Sequence, residues 1–62
     1  MTETLLTYAD VMKLTGIRSR TTIFKRVQRG AFPPPLELSP GVVRFRKSEI
    51  LAWIDSLPLQ HY

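Results

Sequence analysis

The segment of residues 16–30 reads GIRSRTTIFKRVQRG, and it decides the fold of this 62-residue chain. Ser19 is of a residue type that commonly caps the start of a helix, and glycine commonly follows the end of one. The pattern therefore predicts a helix over residues 20–29 that begins after Ser19 and ends before Gly30. Gly16 is predicted to end an earlier helix, so that a tight turn separates the two.

The predicted second helix has one apolar face and one cationic face. A rotation of about 100° per residue places Ile23 and Val27 on one side, flanked by Phe24. The remaining arc carries hydroxyl, amide and cationic side chains, namely Thr21, Thr22, Lys25, Arg26, Gln28 and Arg29. We expect the apolar face to pack on a core and the other face to meet a partner.

A first helix is predicted over residues 8–15, directly before this segment. Thr7 followed three residues later by Asp10 resembles a capping box, which marks the start of a helix. Helical spacing then aligns the apolar residues Tyr8, Val11, Met12 and Leu14. Two short helices joined by a glycine-containing turn predict a helix-turn-helix.

A β-hairpin is predicted over residues 36–46. The run Phe32-Pro33-Pro34-Pro35 favours an extended connector, because proline lacks an amide donor and restricts the preceding residue. Apolar and polar residues alternate in Leu36-Glu37-Leu38 and in the second half of residues 42–46, on either side of the turn signal Ser39-Pro40-Gly41. This pattern predicts two strands. We expect the hairpin to pack one face on the helices, formed by Leu36, Leu38, Val43 and Phe45.

A third helix is predicted over residues 47–57, where Ile50, Trp53, Ile54 and Leu57 align. Trp53 is interpreted as a core anchor, and residues 58–62 as a frayed tail. The predicted fold class is α+β: a small winged helix-turn-helix with three helices and a two-stranded hairpin wing between helices 2 and 3. We expect one domain over residues 1–62.

Composition narrows the function. The chain has no cysteine, one histidine and five carboxylates, so we expect no disulfide, metal site, cofactor or enzyme activity. It contains no apolar run of about 18 residues and no signal peptide, which favours a cytoplasmic protein. The net charge is +4, and between Arg18 and Lys47 eight basic residues accompany one acidic residue. This concentration of positive charge indicates an anionic partner.

Double-stranded DNA fits these features, because its major groove, about 12 Å wide, admits one helix with its side chains. We expect base contacts from the first turns of the second helix and phosphate contacts from its end. The wing is expected to meet an adjacent phosphate or the minor groove. The first group is Arg20, Thr21, Thr22 and Lys25; the phosphate group is Arg26 and Arg29, and Arg18 and Ser19 lie at the helix start. The wing candidates are Arg44, Arg46 and Lys47.

Some of these residues have simpler interpretations. Ser19 alone would suffice as an N-cap, without any contact to phosphate. Charges on an exposed strand also discourage aggregation between sheet edges, which accounts equally well for the wing cations. A protein-interaction module is the alternative function, using the Pro33–Pro35 segment and the Trp53 helix.

The chain resembles the AlpA-type prophage regulators and the phage excisionases, small winged-helix proteins of the MerR-like superfamily. The resemblance covers about positions 5 to 57. It rests on Val11, Thr15-Gly16-Ile17, Thr22-Ile23-Phe24, Val27, Gly30, Phe32-Pro33 with Pro35, Phe45, Ser48-Glu49-Ile50 and Trp53-Ile54.

The resemblance implies a DNA-binding transcriptional regulator or a factor that directs site-specific excision, without enzyme activity. It implies that residues 20–29 enter the major groove and that residues 36–46 touch the flanking backbone. Further copies bound cooperatively on DNA, and a phage integrase, are the expected protein partners. No long dimerisation helix follows residue 57, so no small-molecule effector is expected.

Overall fold

A computed structural model of the chain describes residues 3–60. In chain order the elements are β1 (Leu5–Leu6), α1 (Tyr8–Thr15), α2 (Arg20–Gln28), β2 (Leu36–Ser39), β3 (Val42–Arg46) and α3 (Lys47–Asp55). The predicted α+β winged helix-turn-helix, with its hairpin between the second and third helices, is confirmed. Met1, Thr2 and the last two residues of the predicted tail, His61 and Tyr62, lie outside the described residues.

The hairpin belongs to a three-stranded antiparallel sheet, whereas the sequence predicted only its two strands. The strand order is β1-β3-β2. Leu5 lies opposite Arg46 and Leu6 opposite Phe45, and the Lys47 N–H donates to the Thr4 carbonyl oxygen at 2.9 Å. Strand β1 therefore joins the start of the chain to the far side of the hairpin.

Helix α1 is capped at both ends by the residues from which its bounds were predicted. The Thr7 hydroxyl accepts from the Asp10 N–H and the Asp10 carboxylate accepts from the Thr7 N–H, both at 3.1 Å. These contacts form a capping box, and the hydrogen bond from the Thr7 backbone holds the pKa of Asp10 below its ordinary value. At the other end Gly16 has a φ of 78°, and its N–H donates to the Met12 carbonyl oxygen at 2.9 Å.

The other two helices end slightly earlier than predicted. Helix α2 ends at Gln28, with Arg29 as its C-cap, and Gly30 follows with a φ of 75°. Helix α3 ends at Asp55 rather than at residue 57, because the chain leaves helical geometry after the cap at Ser56. The Ser56 hydroxyl donates to the Trp53 carbonyl oxygen at 2.7 Å.

The core takes one side chain from each main part of the chain: Val11, Ile23, Phe32, Phe45 and Ile50. Phe45 is at its centre, with the rings of Tyr8 and Phe32 edge-on at centroid distances of 5.1 and 5.9 Å. Trp53 packs against this core, as predicted: its ring lies 4.6 Å from that of Phe32 and its Nε1–H donates to the Ala31 carbonyl oxygen at 3.1 Å. The hairpin is thereby fastened to the helices.

Four apolar side chains expected in the core are exposed instead. Leu38 is 55% exposed, which corrects the prediction that it faces the helices; the register of β2 against β3 is irregular between Glu37 and Ser39. Leu57 is exposed because α3 ends before it, and Leu14 lies outside the buried side of α1. Phe24 is 50% exposed, although it borders the apolar arc of α2.

Candidate nucleic-acid interface

Helix α2 is oriented by its apolar side chains. Ile23 is fully buried in the core and Val27 packs against it, so the opposite side of the helix faces outward. The helix begins at Ser19, whose hydroxyl accepts from the Thr22 N–H at 3.2 Å. That hydroxyl is thus engaged in the cap, as the simpler interpretation of Ser19 predicts.

The predicted contact residues of this segment differ in exposure. Most of them are exposed, namely Arg18, Ser19, Arg20, Thr21, Lys25 and Arg29. Thr22 and Arg26 are half-buried on the side of α2 nearer the core. Residues 18–30 contain no acidic residue, so every charged side chain on the exposed side of α2 is positive.

Arg20 is held over an aromatic ring. Its guanidinium carbon lies 4.5 Å from the centroid of Tyr8, at a distance typical of a cation–π contact. Tyr8 in turn packs edge-on against Phe45 of the hairpin. A basic side chain in the first turn of α2 is therefore positioned beside the wing.

Helix α2 and the hairpin turn share one cleft of about 340 Å³. Gly41, at the turn of the hairpin, has a φ of 78°, a conformation that glycine adopts without strain. The cleft brings the first turns of α2 to the tip of the wing, and its lining residues are Tyr8, Arg20, Thr21, Phe24, Gly41 and Val43.

The three predicted wing cations are partly engaged by the protein itself. Arg44 is half-buried and donates to the Val43 carbonyl oxygen at 2.7 Å. Its charge is also among the smaller contributions that lower the pKa of Asp10, after the hydrogen bonds from Thr7. Arg46 lies 3.7 Å from the Glu49 carboxylate, in an exposed ion pair. Lys47 is exposed at the start of α3.

A second carboxylate lies near this end of the hairpin, and nothing in the spacing of the sequence predicts it. The Ser48 hydroxyl donates to Glu3, and this hydrogen bond lowers the pKa of Glu3. Glu3 and Glu49 thus place negative charge beside Arg46 and Lys47. The positive surface is consequently concentrated on α2 rather than spread along the hairpin.

Residues 3–60 contain no group of three or more histidine, cysteine, aspartate or glutamate side chains arranged to hold a metal ion. Over the same range, every helix is too short or too polar to cross a membrane.

Residues 4–57 match the sequence family described as prophage CP4-57 regulatory protein (AlpA). The chain belongs to the AlpA family. The match spans the helix-turn-helix, the sheet and α3, and it confirms the resemblance to the AlpA-type prophage regulators.

A relative of the chain comes from a phage. The chain is 38% identical over 52 residues to the uncharacterized protein ORF88 of Enterobacteria phage P4. This alignment covers 84% of the chain but only 58% of that relative, so the chain spans less than two thirds of its length. No solved structure matches the chain.

Proposed function

We propose that the chain binds double-stranded DNA sequence-specifically, with α2 in the major groove and the hairpin of residues 36–46 on the flanking backbone. The observation that carries the proposal is the shared cleft: the first turns of the cationic helix and the tip of the wing border the same opening. Membership of the AlpA family, whose description is that of a prophage regulatory protein, supports it.

The shape and charge of α2 suit a major groove. Ile23 ties one side of the helix to the core, and the opposite side carries Lys25 and Arg29 with no acidic residue between Arg18 and Gly30. Such a helix can approach base edges while its flanking cations contact phosphates.

Base contacts are assigned to the first turns, where Arg20, Thr21, Thr22 and Lys25 lie, because this part of a recognition helix generally reads the bases. Arg26 and Arg29 are assigned to phosphates. The Ser19 hydroxyl already accepts from the Thr22 N–H, so Ser19 supports the helix start and a phosphate there would meet Arg18 and the free backbone amides.

The wing supplies the remaining contacts. Arg44, Arg46 and Lys47 are assigned to the phosphates that flank the major-groove site. Arg46 would exchange its ion pair with Glu49 for a phosphate, which costs little because exposed pairs are worth about 0–1 kcal/mol.

The small size of the module affects how tightly it can bind DNA alone. A single domain of this kind buries less than about 1,000 Å² on DNA, so tight binding favours several copies side by side or a partner such as an integrase. We propose a cytoplasmic factor of a prophage that regulates transcription or directs excision. Footprinting on DNA flanking its gene, with and without an integrase, separates these roles.

Salt-dependent binding to duplex DNA tests the proposal. The logarithm of affinity is expected to fall linearly with the logarithm of salt concentration, with a slope of about −0.9 for each phosphate contact. Lys25→Ala is expected to weaken binding, while Lys13→Ala, an equal change of charge on α1, leaves it close to the wild type. Salt-insensitive binding, or equal losses from both variants, contradicts the assignment of α2.

The division of roles within α2 has its own test. Arg26→Ala is expected to weaken binding to specific and random DNA alike and to reduce the salt slope by about 1. Lys25→Ala and Thr22→Ala are expected to lower the ratio of specific to random affinity, at a cost of about 1–3 kcal/mol for a lost base contact. If every variant loses both affinities equally, the division is wrong.

A protein-interaction module remains the second candidate, because Pro34 is exposed within the proline run. The half-buried Trp53 ring, however, packs on Phe32 and its Nε1–H is engaged by Ala31, which leaves less of it for a partner. Failure to bind any duplex at low salt favours this candidate.

A further inference from the structure

We infer that Phe24 is a specificity-determining residue that contacts the C5-methyl group of a thymine in the major groove. The inference rests on the proposed function. It accounts for a side chain that the core does not use: Phe24 belongs to α2, yet half of its surface is exposed.

Phe24 lies on the flank of α2 that faces the wing. It lines the shared cleft with Arg20 and Thr21, which precede it by one helical turn, and with Gly41 and Val43 of the hairpin. The ring is thus placed among residues assigned to base contact, in the same two turns of the helix.

The surroundings of Phe24 identify the kind of surface it would meet. Arg20 and Lys25 are exposed cations, and residues 18–30 contain no acid, so the complementary surface is anionic. An aromatic ring within such a cationic surface is complementary to an anionic partner that also presents an apolar group. In the major groove of DNA the thymine methyl is that group, while the other edges present hydrogen-bond donors and acceptors.

The immediate neighbours of the ring strengthen this assignment. Tyr8 is packed against Phe45 and covered by Arg20, so it is not available to fill the cleft over Phe24. Arg20 lies over the ring of Tyr8 and lines the same cleft as Phe24, where it would donate hydrogen bonds to the base next to the contacted thymine. The pair would read a step in which thymine adjoins a guanine, since arginine pairs best with guanine.

Replacing thymine by uracil provides the test, because it removes the methyl group and keeps the O4 acceptor. A preferred duplex is first selected from a random pool with the wild-type protein, and each thymine is then replaced in turn. At one position the wild type is expected to lose about fourfold in affinity, the effect of one buried methyl group. Phe24→Ala is expected to bind the thymine and uracil duplexes equally at that position.

The controls distinguish this inference from the proposed function. Leu14→Ala, which also removes an exposed apolar side chain but lies on α1, should retain the uracil effect. Phe24→Ala should keep the wild-type salt slope, since no charge is lost. Far-UV circular dichroism checks folding. If Phe24→Ala unfolds, Phe24→Leu replaces it: leucine keeps apolar packing on the fold but presents a smaller surface to the methyl group, so the uracil effect should be reduced.

Four results would overturn the inference. A wild-type protein that binds duplexes with salt dependence but is insensitive to every uracil substitution refutes the methyl contact alone. A uracil effect that survives in Phe24→Ala assigns the contact to another residue. A free-protein dimer, detected by sedimentation and lost in Phe24→Ala, assigns the ring to a second copy. Absence of duplex binding by the wild type refutes the proposed function as well.

Discussion

Phe45→Leu is expected to lower the free energy of unfolding by about 1–3 kcal/mol. The ring of Phe45 is 1% exposed and makes two edge-on contacts, with Tyr8 and with Phe32. Each aromatic pair is worth about 0.5–1.5 kcal/mol beyond the burial of its surface, and leucine keeps most of that burial. Phe45→Ala would cost about 3–5 kcal/mol, comparable with the whole stability of so small a domain, and is therefore less informative.

Thermal unfolding followed by far-UV circular dichroism measures this loss. One kcal/mol shifts the midpoint of a domain of this size by about 4–8 °C, so Phe45→Leu should melt roughly 4–24 °C below the wild type. The matched control is Leu38→Ala, in the neighbouring strand. Leu38 is 55% exposed, and its removal should change stability by no more than about 0.5 kcal/mol.

Equal losses from Phe45→Leu and Leu38→Ala would refute the reasoning. They would mean that the hairpin is not fastened to the helices through Phe45, and that the cleft between α2 and the wing is not held by the core. A larger loss of stability from Leu38→Ala than from Phe45→Leu would indicate that Leu38 packs on the helices, as strand alternation alone predicts.

Two further predictions concern charge. Because the hydrogen bond from the Thr7 backbone lowers the pKa of Asp10 in the folded state, the carboxylate stabilises the fold above its unfolded pKa, and this contribution is lost as pH falls through the lower, folded pKa. Melting of Asp10→Asn between about pH 2 and 6 should therefore depend less on pH than melting of the wild type, and an unchanged profile would contradict the capping box as the cause. Glu49→Gln should raise affinity for duplex DNA at low salt by freeing Arg46, with a gain that shrinks as salt increases; a gel-shift titration showing unchanged affinity would remove Arg46 from the interface.

The helices and the cationic surface of α2 were predictable from the chain alone. The helix caps formed by Thr7 with Asp10, by Ser19 and by Gly16 involve hydrogen bonds to residues three or four positions away. The spacing of Ile23 and Val27 sets which side of α2 faces inward. Such short-range interactions can be predicted from the sequence alone. The two hairpin strands and their turn were predictable for the same reason, but the exposure of Leu38 was not, because it accompanies an irregular register between the strands.

Other features required the fold. Strand β1 has only two residues, too few for alternation to reveal it, and it forms by pairing with Arg46 and Phe45 late in the chain. The hydrogen bond between Glu3 and Ser48 joins residues that are 45 positions apart in the sequence. Neither contact leaves a signal in the spacing of nearby residues.

The amino-acid order by itself determined that α2 carries the positive charge. Only the tertiary structure decided which cations interact with Asp10, with Glu49 or with the Tyr8 ring. It also decided that Phe24 lines a cleft shared with the wing. The physical reason is distance along the chain: caps and helical faces depend on residues three or four apart, whereas the environment of a charge depends on whichever distant segments the core brings together.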